Sequence, residues 1–338
     1  MNKKRALITG VTGQDGIYLS KFLLKKGYEV HGLIRSKSDY DRQIVSGLGK
    51  NLRDKMFFHK GDLRKGNGID SIIKRIKPAE IYNLGAISNV DIAEKKPANS
   101  YNINFLGVLR ILESIKKFSP KTKLFQAGSS MQFSLKNNER LNEKSKQNPS
   151  SVYGKSKQLA YKSIKEYREK YGIFACCGFM ANHESFLRDG RALSKIIIKN
   201  IVRYSRKEIS YFYLYNIDYK RDWGHAEDFV CAMWLMLQND IPEDFIIAAN
   251  NFKTIRNFCT TAFKFFGIDI IWTRAGKYEY AKNKTTGKIL IKSKLLPRKQ
   301  QIDYTISFNK IKSRLNWNPK IKFQEIVNEM IRKEIKYF

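Results

Sequence analysis

Acidic residues are scarce in this chain: 31 Asp and Glu stand against 64 Lys and Arg, a formal net charge of +33. Such an excess invites a nucleic-acid partner. Here the lysines are spread over the whole chain rather than gathered in one stripe, and no base-reading motif accompanies them. The pattern describes a solvated surface with a general pull on anionic ligands such as a nucleoside diphosphate, and no nucleic acid is expected. Cysteine is sparse as well. Cys176, Cys177, Cys231 and Cys259 form no C-x-x-C pair. The adjacent two lie in the apolar run IFACCGFM, where cysteine packs as a small hydrophobe; a redox pair is the sharper alternative. Four scattered histidines make no metal cluster. Apolar runs such as AEIYNLGAI and FIIAA stop short of the roughly 20 residues a membrane span needs. The start, MNKKRALITGVTG, has the basic flank of a signal peptide, but it breaks into a glycine turn with no small-residue cleavage pattern. The expectation is a soluble, cytoplasmic protein without a membrane partner. With few prolines and no low-complexity block, disorder is not the default.

What is present is rhythm. RALITG, YEVHGLI, KMFFHKGD, AEIYNLGA and TKLFQAGSS read as strands, separated by helical stretches at 16–26, 69–76 and 98–118. A long helix over 150–172 precedes the strand GIFACCGFMAN. This βαβα order predicts an α/β fold, a Rossmann-type doubly wound parallel sheet. After Asn182 the pattern loosens. HESFLRDGRALSKIIIKNIVRYS mixes loop and helix, IRNFCTTAFKFFGI reads as a helix, and RAGKYEYAKNKTTGKILIKSKLLPRKQQ reads as loop-rich and basic. The expected organisation is a dinucleotide-binding domain over 1–182 and a smaller mixed substrate domain over 183–338, with parts of 215–250 returning to the first core. The aromatics of YFYLY at 211–215 alternate like a strand and are expected in the core.

Gly10-Val-Thr-Gly13-Gln-Asp-Gly16 follows the first strand and opens a helix. Glycines there let the backbone approach a pyrophosphate, which the free N–H groups of the helix start then stabilise. The spacing is G-x-x-G-x-x-G, so a tight turn without ligand is the plain alternative. At the end of the second strand, VHGLIRSKS supplies Arg35 and Lys37 and no acid, which favours NADP over NAD. Asp62 could bond the adenine edge or merely cap its strand, and Asn83-Leu84-Gly85-Ala86 could line the nicotinamide side.

Tyr153-Gly-Lys-Ser-Lys157 sets a phenol and an ammonium four residues apart on one helix face. A phenol is a poor base at neutral pH; a neighbouring ammonium is expected to lower its pKa, so the pair can take a proton from a sugar hydroxyl as hydride leaves the same carbon. Ser129 and Ser130 end the preceding strand.

The glycine turn, the strand-end serines and Tyr153-x-x-x-Lys157 together resemble the extended short-chain dehydrogenase/reductase superfamily. ITGVTGQDG, IYNLGAISNV, NHES, RDWGHAEDFV and MWLML make the chain most similar to the GDP-mannose 4,6-dehydratase family within it. That resemblance implies removal of the C4 hydrogen of a GDP-hexose as hydride to NADP, elimination of water across C5 and C6, and return of the hydride at C6. It assigns Tyr153 as C4 base, Lys157 as its electrostatic partner and Ser129 as the hydroxyl on the C4 oxygen. Gly10, Thr12, Gly13, Gln14, Asp15, Gly16, Arg35, Asp62, Leu63, Leu84, Gly85, Ala86 and His183 fall to the cofactor with the Tyr-Lys pair. Ser88, Asn182, Arg221 and Arg298 fall to the substrate. It also implies a homodimer or homotetramer, with the loop SKSDYDRQ reaching a neighbour.

Two departures qualify that transfer. The family's strand-end pattern S-T-S-E carries a glutamate for the elimination, whereas this chain reads Gly128-Ser-Ser-Met131, and a thioether neither accepts nor donates a proton at useful pH. Gln301 and Lys299 replace the acid and the proline of the family's R-P-x-E pattern. Three readings follow: a 4,6-dehydratase whose acid comes from elsewhere, such as Glu139 or Glu143; a C4 dehydrogenase, 4-ketoreductase or epimerase without elimination; or a catalytically silent cofactor-binding protein. Among the remaining candidates, Trp223 is expected to pack and His225 to orient a loop, and Asp222 to bond backbone or Arg221. Arg191, Lys195 and Lys199 form either a diphosphate-facing or a solvated basic face.

Overall fold

A computed structural model describes residues 3–36, 49–133, 139–294 and 304–337. Five parallel strands come from the first part of the chain: β1 (Arg5–Thr9), β2 (Glu29–Ile34), β3 (Met56–Lys60), β4 (Glu80–Asn83) and β5 (Lys123–Ala127). Ala175–Met180 and Phe245–Ile247 extend the sheet beyond β5, giving the spatial order β3-β2-β1-β4-β5 followed by those two. All pairings in it are parallel. The order reverses between β1 and β4, the switch point at which doubly wound sheets bind ligands. The Rossmann-type fold expected from the alternating pattern is therefore the one formed.

Both faces are covered. Ile8, Leu19, Leu23, Phe229 and Met233 lie on one side and Ile73, Ile111, Leu112 and Ile164 on the other, all buried. The strands read as near-continuous apolar runs because neither face meets water. Cys176 and Cys177 are fully buried in this sheet, and burial pushes both thiols up, the behaviour of core cysteines.

A second core gathers Ile197, Ile201, Phe258, Phe263, Val327 and Met330. It sits under a four-stranded sheet in which Ile270–Ala275, Tyr278–Asn283 and Ile289–Lys294 run antiparallel and Phe212–Tyr215 adds in parallel. Among its described residues, 274–294, the segment expected to be loop-rich is thus mostly strand. Its alternation was hidden because the outer face is built of Tyr and Lys, while a two-residue turn at Gly276-Lys277 closes the first hairpin. The YFYLY expectation needs a matching correction. Phe212 and Leu214 are buried, but Tyr213 and Tyr215 are 57% and 59% exposed, since successive residues of a strand face opposite ways.

The helix Val152–Tyr171 opens on Ser151, whose hydroxyl accepts the Gly154 N–H, and ends at Gly172 with φ +65°, the two signals that start and stop a helix. The stretch expected as one helix over 98–118 contains a single π-helical turn, Asn102–Leu106. Among the described residues no helix is long and apolar enough to cross a membrane.

Phe125, fully buried on β5 against Tyr82, holds the floor beneath the carboxyl edge. Phe125→Ala is expected to lower the unfolding free energy by about 3–5 kcal/mol; urea denaturation followed by circular dichroism checks it, and a loss below about 1 kcal/mol would mean that the site collapses around the void.

Candidate active site

The turn after β1 is tight. Gly10 adopts φ +67°, its carbonyl accepts the Gly13 N–H at 3.0 Å, and a Cβ on it would stand 2.7 Å from the Gly85 nitrogen. Only glycine fits there. The helix Gln14–Lys25 then begins at Gly13 with no side-chain cap, so its first-turn N–H groups remain for a bound anion. Thr12 is half-buried and Gly13 exposed. This cradle fits a pyrophosphate.

His183 locks the helix start. Its Nε2 lies 2.9 Å from Asp15 Oδ1 and its Nδ1 2.9 Å from the Ala181 carbonyl. With an acceptor at each ring nitrogen, the ring fits the doubly protonated form. Burial disfavours both charges, yet the pair outweighs it: His183 is raised and Asp15 lowered from their ordinary values. Gln14 donates to the His183 carbonyl and accepts from Ser185, and the His183 ring stacks on Phe229 with centroids 4.3 Å apart.

At the ends of β2 and β3 the chain places Arg35 and Asp62 side by side, since Ile34 pairs with Lys60 and its carbonyl accepts the Gly61 N–H. The Asp62 carboxylate caps its own turn by accepting the Arg64 N–H and forms a two-pronged pair with the Arg64 guanidinium. Arg64 chiefly, with Arg35 adding, holds Asp62 below the usual carboxylate range. Leu63 is buried, and Leu84, Gly85 and Ala86 are half-buried beyond β4.

Under this edge runs an unbroken buried line of hydrogen bonds. The Gly85 N–H donates to the Thr9 hydroxyl, which donates to Asn83 Oδ1; Asn83 Nδ2 donates to Gln126 Oε1 at 2.7 Å; Gln126 Nε2 donates to the Ala127 carbonyl. Lys157 Nζ reaches the same carbonyl at 2.7 Å. Thr9 and Gln126 escaped the sequence reading because they look like ordinary strand residues.

Tyr153 and Lys157 are both buried, with Nζ 5.9 Å from the phenol ring centre. Burial lowers the ammonium to about 8. The phenol departs from expectation: burial pushes it above its ordinary value, with Asp15 adding, while the Ser129 hydroxyl and Arg188 pull the other way. Loss of hydration disfavours the phenolate, and Lys157 is turned to the Ala127 carbonyl. Arg188, which lies 3.5 Å from Glu184, was missed; the clue was an arginine four residues beyond that glutamate. Ser129 caps the short turn Ser130–Gln132, in which Met131 sits.

Strand His183–Glu184 pairs with Gly224–His225, bringing the Arg221 segment alongside; the Gly224 N–H donates to the Asn182 carbonyl. Arg221 lies over Tyr219, and its Nε is buried without a partner. Asp222 takes the backbone branch of its expectation, accepting the Ala249 and Asn251 N–H groups. Trp223 packs on Phe258, and His225 caps the helix Ala226–Gln238. Of the basic helix face, Arg191 is paired with Asp189 and Lys195 with Glu334. Ser88 is exposed beyond β4. Lys37, Arg298, Lys299 and Gln301 lie outside the described residues. Among the described residues no group of three or more His, Cys, Asp or Glu could hold a metal ion.

Solved structures share the fold. A dTDP-glucose 4,6-dehydratase from Bacillus anthracis in complex with NAD superposes with a TM-score of 0.80 at 22% identity, covering 98% of this chain and 97% of its own. RMD from Pseudomonas aeruginosa complexed with NADPH gives 0.79 at 15%, covering 99% of each. In sequence, the GDP-mannose 4,6 dehydratase of Cricetulus griseus is 38% identical over 98% of this chain and 92% of its own length. That of Yersinia enterocolitica is 35% identical over 97% and 93%. The family model for GDP-mannose 4,6 dehydratase matches residues 7–330. With that match running from the first strand into the last helix, the chain belongs to the GDP-mannose 4,6-dehydratase family.

Proposed function

We propose that this chain binds NADP and moves a hydride at C4 of a GDP-hexose. The observation that carries the reading is the burial of Tyr153, Lys157 and Ser129 together at the carboxyl edge of the sheet, next to a turn that fits a pyrophosphate. Gly10, Thr12, Gly13, Gln14, Asp15 and Gly16 would hold the diphosphate, Arg35 the 2′-phosphate, Asp62 and Leu63 the adenosine, and Leu84, Gly85, Ala86 and His183 the nicotinamide side. When bound, the cofactor supplies the hydride acceptor and donor. Tyr153 holds or moves the proton at the C4 oxygen, Ser129 bonds that oxygen, and Lys157 keeps a cation beside the phenol. Ser88, Asn182, Arg221 and Arg298 would hold the sugar diphosphate, and the unpartnered Arg221 Nε supports an anionic contact there. In this reading residues 1–182 serve the cofactor and 183–338 mainly the sugar, parts of 215–250 belong with the first core, and the chain works as a homodimer or homotetramer.

The family label favours a complete 4,6-dehydration. One observation favours the reading without elimination. Met131 is exposed where a glutamate is needed, and the carboxylate of Glu143, one proposed substitute, accepts the Ile246 N–H at 2.9 Å. The Glu139 side chain lies outside the described residues. A C4 dehydrogenase, 4-ketoreductase or epimerase needs Tyr153 and Lys157 but no such acid.

Three outcomes test this. Tyr153→Phe is expected to lower kcat by about 10²–10⁴-fold while cofactor affinity, read by fluorescence quenching, changes far less. Lys157 is charged below about 8 and neutral above it, so kcat/KM is expected to fall on the alkaline side near that value; Lys157→Arg, which stays protonated, removes the limb, and a native profile without it contradicts the assigned role. Finally, GDP-mannose with NADP in deuterated water separates the readings: label at C5 with a 4-keto-6-deoxy product supports dehydration, and an unlabelled C5 with cofactor reduction supports C4 chemistry alone.

A further inference from the structure

Four side chains far from Tyr153 form one line of contacts between β2, β3 and the helix Gly66–Ile76. Arg75, in the last turn of that helix, sets its Nη2 2.9 Å from His59 Nδ1 on β3. His59 Nε2 lies 2.9 Å from His31 Nδ1 on β2, and His31 Nε2 lies 2.8 Å from Glu29 Oε1. A guanidinium only donates. His59 Nδ1 must therefore accept, which puts the one proton of the neutral ring on Nε2. That N–H donates to His31 Nδ1, and the His31 proton, on Nε2, goes to the Glu29 carboxylate. The relay runs Arg75, His59, His31, Glu29 and leaves no ring nitrogen over. A further proton on either ring would set two donors against each other. Among the described residues, the charged groups facing the pair are Glu29 and Arg75, with Arg5 3.5 Å from Glu29. Burial chiefly, with His31 and Arg75 adding, holds His59 down at about 4. Burial also lowers His31, against the pull of Glu29.

The next turn depends on the spacing that this relay fixes. Gly61 follows His59 by two residues and is packed bare. A Cβ on it would come within 2.6 Å of Leu33 Cδ1 on β2 and 3.3 Å of Ile72 Cδ1 on the helix that carries Arg75. Leu33 lies two residues beyond His31 and Ile72 three before Arg75, so these contacts share the face that the histidines join. Gly61 opens the turn in which the Asp62 carbonyl accepts the Lys65 N–H and its carboxylate the Arg64 N–H. Resting on the cofactor reading above, we propose that His31 and His59 are positioning residues for the adenosine end of the cofactor. Their relay clamps the helix Gly66–Ile76 to β2 and β3, and so sets the turn 61–65 that presents Asp62 and Leu63. They act through that turn rather than on the nucleotide. Acid opens the clamp. An unfolded histidine titrates at about 6.5, and both rings titrate lower in the fold. The stability the clamp contributes is therefore full above about 6.5 and is lost as pH falls toward about 4.

Adenosine 2′,5′-bisphosphate, the adenosine end of NADP, is titrated calorimetrically onto the whole chain. His59→Phe keeps a ring but ends the relay, and is expected to weaken binding roughly tenfold, as for a turn competent about a tenth of the time. His59→Gln, whose amide can accept from Arg75 and donate to His31, is expected to stay within about threefold of the native affinity. A role in filling space alone would reverse that order, since phenylalanine is the closer match in shape. Nitrogen-15 NMR reads the native chain directly, whether or not a variant folds. At about pH 5.5, where a free histidine is mostly charged, His59 is expected to be neutral with its proton on Nε2. A charged His59 ring there, or a proton on Nδ1, overturns the relay. Equal affinity of the native and His59→Phe chains, or an equal loss in His59→Gln, overturns the positioning role and leaves the cofactor reading standing. No binding of the bisphosphate by the native chain overturns the NADP reading and this inference with it.

Discussion

The site depends on one buried line of hydrogen bonds, from the Gly85 N–H through Thr9, Asn83 and Gln126 to the carbonyl that Lys157 also grips. Each amide in it is used at both ends, so neither Asn83 nor Gln126 can turn over without breaking two bonds. Inside the low-dielectric sheet such partners are costly to lose. The line crosses β1, β4 and β5 at their carboxyl ends and ties the register of three strands to the placement of a single ammonium. Lys157 can remain cationic while buried because that carbonyl replaces part of its lost hydration.

A second tie works across the cleft. The glycine turn belongs to the start of the chain, and the Asn182–Ser185 segment comes about 170 residues later, yet Asp15, Gln14, His183 and Ser185 bind them into one unit. The charge of the pair at the helix start is sustained by mutual attraction against the cost of burial. The backbone N–H groups of the turn are thereby held in one orientation before any ligand arrives, which reduces the ordering cost of binding.

Most of the first half was legible in the sequence because parallel strands buried on both faces advertise themselves as apolar runs between amphipathic helices. The glycine turn and Tyr153–Lys157 were legible for a related reason: their spacing is their chemistry. The hairpin strands over 270–294 were not, since Tyr and Lys on the outward face mask the alternation that Ala281, Ile291 and Ser293 keep on the inward one. The raised phenol of Tyr153 was beyond reach as well. Spacing says that Lys157 lies on the same helix face, but not that it is drawn to the Ala127 carbonyl or how dry the pocket is. Thr9, Gln126 and Arg188 act through partners distant in the chain, and no local pattern marks them.

The way the turn Ser130–Gln132 is fastened has a consequence for how such enzymes diversify. It is secured by main-chain groups, by Ser129 and Gln132, and by the bare Cα of Gly154, while Met131 itself stands exposed. Under the proposed C4 reading, an exchange at residue 131 would change the chemistry offered to the sugar while the Ser129, Gln132 and Gly154 supports of the turn stay in place, so reaction and scaffold would be separable at this position.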